Sequence, residues 1–79
     1  MTKSEILEYI YESEGADAFE VAEHMGLDYP AAAMALLRLS RQNLVARSID
    51  PDSGIYWYEL TTHGIQRLSY FKSRSTEER

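Results

Sequence analysis

The sequence predicts a mainly α-helical domain with one small β-hairpin, in the order helix, helix, helix, hairpin, helix. Three observations predict it. Threonine or aspartate stands just ahead of apolar residues that recur at helical spacing, at Thr2, Asp17, Asp28 and at Thr61 or Thr62. Two runs rich in β-branched and aromatic residues, 44–49 and 55–60, flank the turn-forming stretch DPDSG at 50–54. The chain has 79 residues, room for one domain with a thin core.

The first helix is expected over about 3–13. Thr2-Lys3-Ser4-Glu5 has the capping-box form, Ile6, Leu7 and Ile10 share a face, and Gly15 can take the left-handed turn that ends a helix. Asp17-Ala18-Phe19-Glu20 repeats the capping box and opens a short second helix, whose inner residues are Phe19 or Val21, Ala22 and Met25. Gly26 turns the chain, Leu27 anchors the turn, and Asp28 caps a third helix over about 29–42 with Pro30 in its first turn. At about 100° per residue, Ala32, Ala35, Leu36 and Leu39 of that helix point to the core. Met34, Arg38 and Arg41 point away, with Ala31 and Leu37 at the margins. Asn43 tolerates the left-handed C-terminal position nearly as well as glycine. The two helices joined at Gly26 form a helix-turn-helix.

In the hairpin, Tyr56, Tyr58 and Leu60 share one face and Ile55, Trp57 and Glu59 the other. Leu60 points inward, because it directly precedes the closing helix. That helix places Ile65, Leu68 and Phe71 or Tyr70 to pack back on the domain. Residues 1–72 are read as the folded domain and 73–79 as a polar, frayed tail.

Composition narrows the function. Hydrophobic residues make up 44% and charged residues 27%, which is normal for a globular domain and not for a disordered one. There is no cysteine, so disulfides, thiolate metal sites and thiol redox chemistry are excluded. No apolar run is long enough to span a membrane, and the acidic start is unlike a signal peptide, so a cytoplasmic location is expected. The net charge of −5 is unevenly spread. Residues 1–30 carry eight acids against Lys3, while residues 31–76 carry six bases against three acids.

The order of elements is that of a winged helix-turn-helix, and the motifs resemble that family. FEVAEHMGLD resembles its second helix and turn. ALLRLSRQNLV resembles the pattern L-x-x-L-x-x-x-G-L-[VI] through Leu36, Leu39, Leu44 and Val45, with Asn43 in the glycine position. YELTTHGIQRL resembles the Y-x-L-T-x-x-G signature of MarR-, PadR- and ArsR-like bacterial and archaeal regulators through Tyr58, Leu60, Thr61 and Gly64. The resemblance covers roughly residues 3–72. It implies a transcriptional regulator that binds double-stranded DNA, most often as a homodimer, with the third helix in the major groove and the hairpin on the backbone or minor groove.

On that reading Tyr29, Ala31, Ala33, Met34 and Arg38 face bases. Arg41 and Arg47, with Lys72 or Arg74, neutralise phosphates. The sequence departs from the family at the wing tip, where Asp50 and Asp52 stand in place of basic residues and repel phosphate. Tyr70, Phe71 and Leu68 on the last helix are the favoured candidates for a symmetric dimer contact, over Tyr9 and Tyr11 on the acidic first helix, which repels its own copy, but core packing is the expected role of Leu68 and of one of the two aromatics.

Met34 and Leu37 with Ile55 and Trp57 form an apolar set suited to a protein partner, which makes a protein-interaction module the alternative. The bland reading of the same residues is core, with Leu37 half-buried against the second helix and Trp57 covering the last. An enzyme finds no support. His24 and His63 lack metal spacing, no serine sits in a nucleophile elbow, and no glycine-rich loop cradles phosphate. No cofactor or metal is expected.

Overall fold

Three helices end in the same way, and those ends set the architecture. In the computed structural model, which describes the backbone of residues 3–77 and the side chains of residues 3–71, α1 (Lys3–Glu12) is followed by Glu14 in the left-handed conformation, φ 59°. The Gly15 N–H then donates to Ile10 O at 2.9 Å and the Glu14 N–H to Tyr11 O at 3.2 Å. α2 (Ala18–Met25) ends at Gly26, φ 70°, with the Leu27 N–H on Ala22 O at 2.9 Å. α3 (Tyr29–Arg41) ends ahead of Asn43, φ 63°, with the Leu44 N–H on Leu39 O and the Asn43 N–H on Ser40 O, both at 3.0 Å. Each left-handed residue lets the next N–H satisfy a carbonyl that the helix leaves open, and swings the chain into the next element.

Asn43 thus holds the position expected of it. At the first end the expectation is corrected, because Glu14 and not Gly15 opens the turn. Gly15 (φ 117°) is needed for another reason: a Cβ there would lie 2.5 Å from the Trp57 indole nitrogen.

The helix starts follow the local chemistry. Asp17 Oδ1 accepts from the Glu20 N–H at 2.8 Å while Glu20 Oε1 accepts from the Asp17 N–H at 3.0 Å, a complete capping box. Asp28 Oδ1 accepts from the Ala31 N–H at 3.0 Å, with Pro30 in the first turn of α3. The box expected at Thr2 falls outside the described residues.

β1 (Val45–Ile49) and β2 (Tyr56–Leu60) pair antiparallel, Val45 opposite Leu60 and Ile49 opposite Tyr56. Leu44, expected in the first strand, instead completes the turn after α3. The sequence reading missed a third edge: the Ala16 N–H donates to Tyr58 O at 2.9 Å and the Tyr58 N–H to Ala16 O at 2.8 Å.

The core gathers Ile6, Leu7 and Ile10 from α1, Val21 and Ala22 from α2, Ala32, Leu36 and Leu39 from α3, then Leu44, Val45, Tyr58 and Leu68. Val21 is fully buried, whereas Phe19 is 58% exposed, which settles the choice between them. Leu60 and Phe71 are half-buried against the core, and Tyr70 is exposed. Ile65 does not pack back as expected. It is 43% exposed, because α4 (Thr62–Glu77) meets the domain through Leu68 and Phe71 and through the backbone of Gly64. The α4 backbone stays helical through residues 73–77, the stretch read as tail. Among the described residues no helix is long and apolar enough to cross a membrane.

One residue joins the third helix, the hairpin and the last helix. The Thr61 N–H donates to Leu44 O at 3.1 Å, its hydroxyl donates to Asn43 O at 2.7 Å, and Oγ1 accepts from the Gly64 N–H at 2.9 Å, capping α4. Gly64 lies so close beneath Leu44 O that a Cβ would collide with that carbonyl. Replacing Gly64 by alanine is expected to lower stability by about 1–3 kcal/mol through that collision. Thr61→Val is expected to lower it by about 1–2 kcal/mol, with Thr61→Ser restoring most of the loss. Urea unfolding midpoints of the three variants check this. A Gly64→Ala variant as stable as the parent would show that the two backbones can move apart freely.

Candidate nucleic-acid interface

The outer face of α3 is a single stripe. Ala31, Met34, Arg38 and Arg41 follow one another at i, i+3, i+7 and i+10, all are exposed, and Met34 is 46% exposed. The opposite face, Ala32, Leu36 and Leu39, is buried, so the helix cannot roll without emptying the core. At 1.5 Å per residue the stripe runs roughly 15 Å, apolar in its N-terminal half and basic in its C-terminal half. Ala33, expected among the base-facing residues, is half-buried against the core, and Leu37 is half-buried.

Tyr29 begins α3 off the stripe. Its ring packs on Phe19 of α2, with centroids 4.5 Å apart and planes tilted by 37°. The sequence reading missed Phe19 as a support for Tyr29, since the pairing depends on how α2 and α3 cross and no local pattern encodes it.

Helix N-termini often bind phosphate through their free N–H groups. At both candidate N-termini an aspartate takes one of these N–H groups, Asp17 that of Glu20 at the start of α2 and Asp28 that of Ala31 at the start of α3, and sets a carboxylate there that disfavours an anion. Arg38 and Arg41 are exposed on α3. Arg47 projects from β1 with its guanidinium carbon 4.3 Å from the centroid of the Tyr56 ring, a cation–π contact that orients it. Lys3 is a cation the sequence reading overlooked. Its Nζ donates to Gln42 Oε1 at 2.7 Å, which brings an ammonium from the first helix to the end of α3. The side chains of Lys72 and Arg74 lie outside the described residues.

At the wing tip the Asp50 carboxylate is turned inward. Oδ1 accepts from the Asp52 N–H at 3.0 Å and Oδ2 from the Ser53 hydroxyl at 3.1 Å. The residues proposed for partner contact form two separate groups. Trp57 is half-buried over Gly15, and its Nε1 donates to Glu59 Oε2 at 3.1 Å, so it covers the end of α1. Tyr70 and Phe71 form an aromatic pair on α4, centroids 6.0 Å apart.

The acids of α1 and α2 border a different surface. Tyr9 stacks on His24 at 4.1 Å, within a shallow cleft lined also by Glu5, Glu8, Glu12 and Met25. Burial raises the Tyr9 phenol above its ordinary value of 10.0, and the charges of Glu20, Asp17 and Glu23 raise it further. Among the described residues no group of His, Asp and Glu is placed to hold a metal ion.

No family model and no curated protein matches the chain. Solved structures do. A MepR variant from S. aureus bound to an oligodeoxyribonucleotide matches at TM-score 0.88 and 25% identity, over 96% of this chain and 57% of that one. The PcaV transcriptional regulator from Streptomyces coelicolor, in complex with its natural ligand, matches at TM-score 0.85 and 26% identity, over 95% of this chain and 54% of that one. The chain thus has the winged helix-turn-helix fold of these regulators. A MarR variant from E. coli complexed with operator DNA shares the fold at TM-score 0.80 and 22% identity, over 86% of this chain and 49% of that one. The chain spans about half the length of the structures it matches.

The raised Tyr9 value gives a test of the acidic surface. The folded state keeps this phenol protonated to higher pH than the unfolded state, so its contribution is full below pH 10.0 and is lost as pH rises through the folded value. Urea midpoints measured from neutral pH upward should fall in that alkaline range, and the fall should be smaller in Tyr9→Phe. Identical alkaline profiles would refute the assignment.

Proposed function

We propose that this chain is a DNA-binding transcriptional regulator that docks α3 in the major groove of duplex DNA and works as a homodimer in the cytoplasm. The observation that carries the reading is the exposed Ala31–Met34–Arg38–Arg41 stripe, held rigidly on a fold that matches a MepR variant bound to an oligodeoxyribonucleotide. In this reading Ala31, Met34 and Arg38 face bases, Tyr29 stands at the edge of the groove, and Arg41 and Arg47 pair with phosphates. Ala33, half-buried, lends its volume to packing and drops out of the contact set. The similarity to regulators favours DNA over a protein-interaction role for the same face.

Each phosphate neutralised contributes about −0.9 to the slope of log affinity against log salt. Anisotropy of a labelled duplex across a salt series is expected to give a slope of about −2 per chain from Arg41 and Arg47. The double variant Arg38→Ala, Arg41→Ala should cut its magnitude by roughly 1 and weaken binding at least tenfold at low salt. Undiminished affinity in that variant would sink the docking mode.

The dimer is assigned to α4, where Tyr70 is 56% exposed beside Phe71. Sedimentation at increasing concentration should show a two-chain species that Tyr70→Glu disperses. A single-chain species for the parent at every concentration would refute the dimer.

A further inference from the structure

We infer that α3 selects DNA by the C5-methyl groups of its bases, so that thymine-bearing major grooves are the preferred ligand. This rests on the DNA-docking reading above and names what that surface reads. In a helix-turn-helix the N-terminal part of the recognition helix meets the base edges. Here the outward residues of that part are Ala31 and Met34. Neither donates nor accepts a conventional hydrogen bond from its side chain, so neither can read the donor and acceptor pattern that separates one base pair from another. What the major groove offers an apolar side chain is the thymine methyl group.

Met34 suits that contact. It is 46% exposed, and its unbranched thioether adapts to an irregular apolar surface. Leu37, half-buried beside the stripe, adds apolar area at its margin. Tyr29, propped on Phe19 at 4.5 Å, walls the N-terminal end with a second aromatic-apolar surface.

The polar contribution comes one to two turns later, from Arg38 and Arg41. The starts of α2 and α3 carry the capping carboxylates of Asp17 and Asp28, which disfavour an anion contact near the methyl-reading segment. Position and chemistry therefore separate along the helix: the arginines supply the charged and polar contacts, and the apolar half reads methyl groups.

Removing one methyl from a buried contact costs about three- to fourfold in affinity. The test compares one mixed-sequence duplex made with thymine and the same duplex made with deoxyuridine, which lacks only the methyls, with the full chain at fixed low salt. The expected result is a three- to tenfold weaker affinity for the deoxyuridine duplex at an unchanged salt slope. Replacing cytosine by 5-methylcytosine should strengthen binding. Met34→Ala, a surface change that leaves the core intact, should shrink the thymine preference while keeping the slope. Equal binding to both duplexes would overturn methyl selection and leave DNA docking standing. Absence of binding to either duplex by the folded protein would overturn both.

Discussion

The relation between α3 and the wing depends on Thr61. Its N–H closes the base of the hairpin on Leu44 O, its hydroxyl reaches Asn43 O at the exit of α3, and its oxygen caps α4. A surface capped helix and a two-stranded hairpin are each marginal alone. Tied through one residue, they share their constraints, and the carbonyls of the turn after α3 are satisfied without water. Gly64 completes the joint by letting α4 approach the Leu44 carbonyl more closely than any side chain permits. The proposed recognition surface consists of side chains on α3 and on β1, two elements that this joint, together with the core beneath them, holds at a fixed angle. A duplex-binding site built on a rigid junction loses less freedom on binding than one built on a swinging hairpin.

What the sequence made legible was local. Asp17, Asp28 and Asn43 act through hydrogen bonds to neighbours at most a few residues away, so their roles could be read from residue type and spacing. The buried face of α3 was legible for a related reason, since a helix with three core residues on one side fixes the direction of the others. Features that depend on distant segments were not legible. Ala16 gives no sign in its own neighbourhood that it pairs with Tyr58. Phe19 and Val21 fit the inner face of α2 comparably well on paper, and only the crossing of α2 on α3 decides for Val21 and leaves Phe19 against Tyr29. Ile65 sits at a helical position that normally faces the core, but the close approach at Gly64 turns that face aside. In the candidate site, Met34, Arg38 and Arg41 were legible from periodicity, whereas Lys3 reached the end of α3 by tertiary folding alone.

Net charge and binding reading look opposed until distances are considered. The acids crowd into the first 30 residues. Part of that charge is already engaged, with Asp17, Glu20 and Asp28 holding helix starts. The charge interacts over about 8 Å at physiological ionic strength, against a molecule whose longest dimension is 45 Å. Acids lining the Tyr9–His24 cleft are then screened from a ligand on the α3 stripe unless they lie within that range. At low salt they are not screened, and their field favours approaches that present the arginines first.

The wing tip follows the same logic. As bare composition, Asp50 and Asp52 place two negative charges where a duplex would come near. In the folded loop Asp50 accepts hydrogen bonds from the Asp52 N–H and the Ser53 hydroxyl, and the loop closes further through the Gly54 N–H on Asp50 O at 2.7 Å. The carboxylate is part of the turn, and its charge is partly met by local dipoles. The positive charge of the wing lies further back, on Arg47, held against Tyr56. A tip that repels phosphate and a shoulder that attracts it together favour contact along the side of the hairpin. In the proposed docking mode the tip stays out of the minor groove, whose negative potential would penalise Asp52, and Arg47 is the wing residue left to meet the backbone.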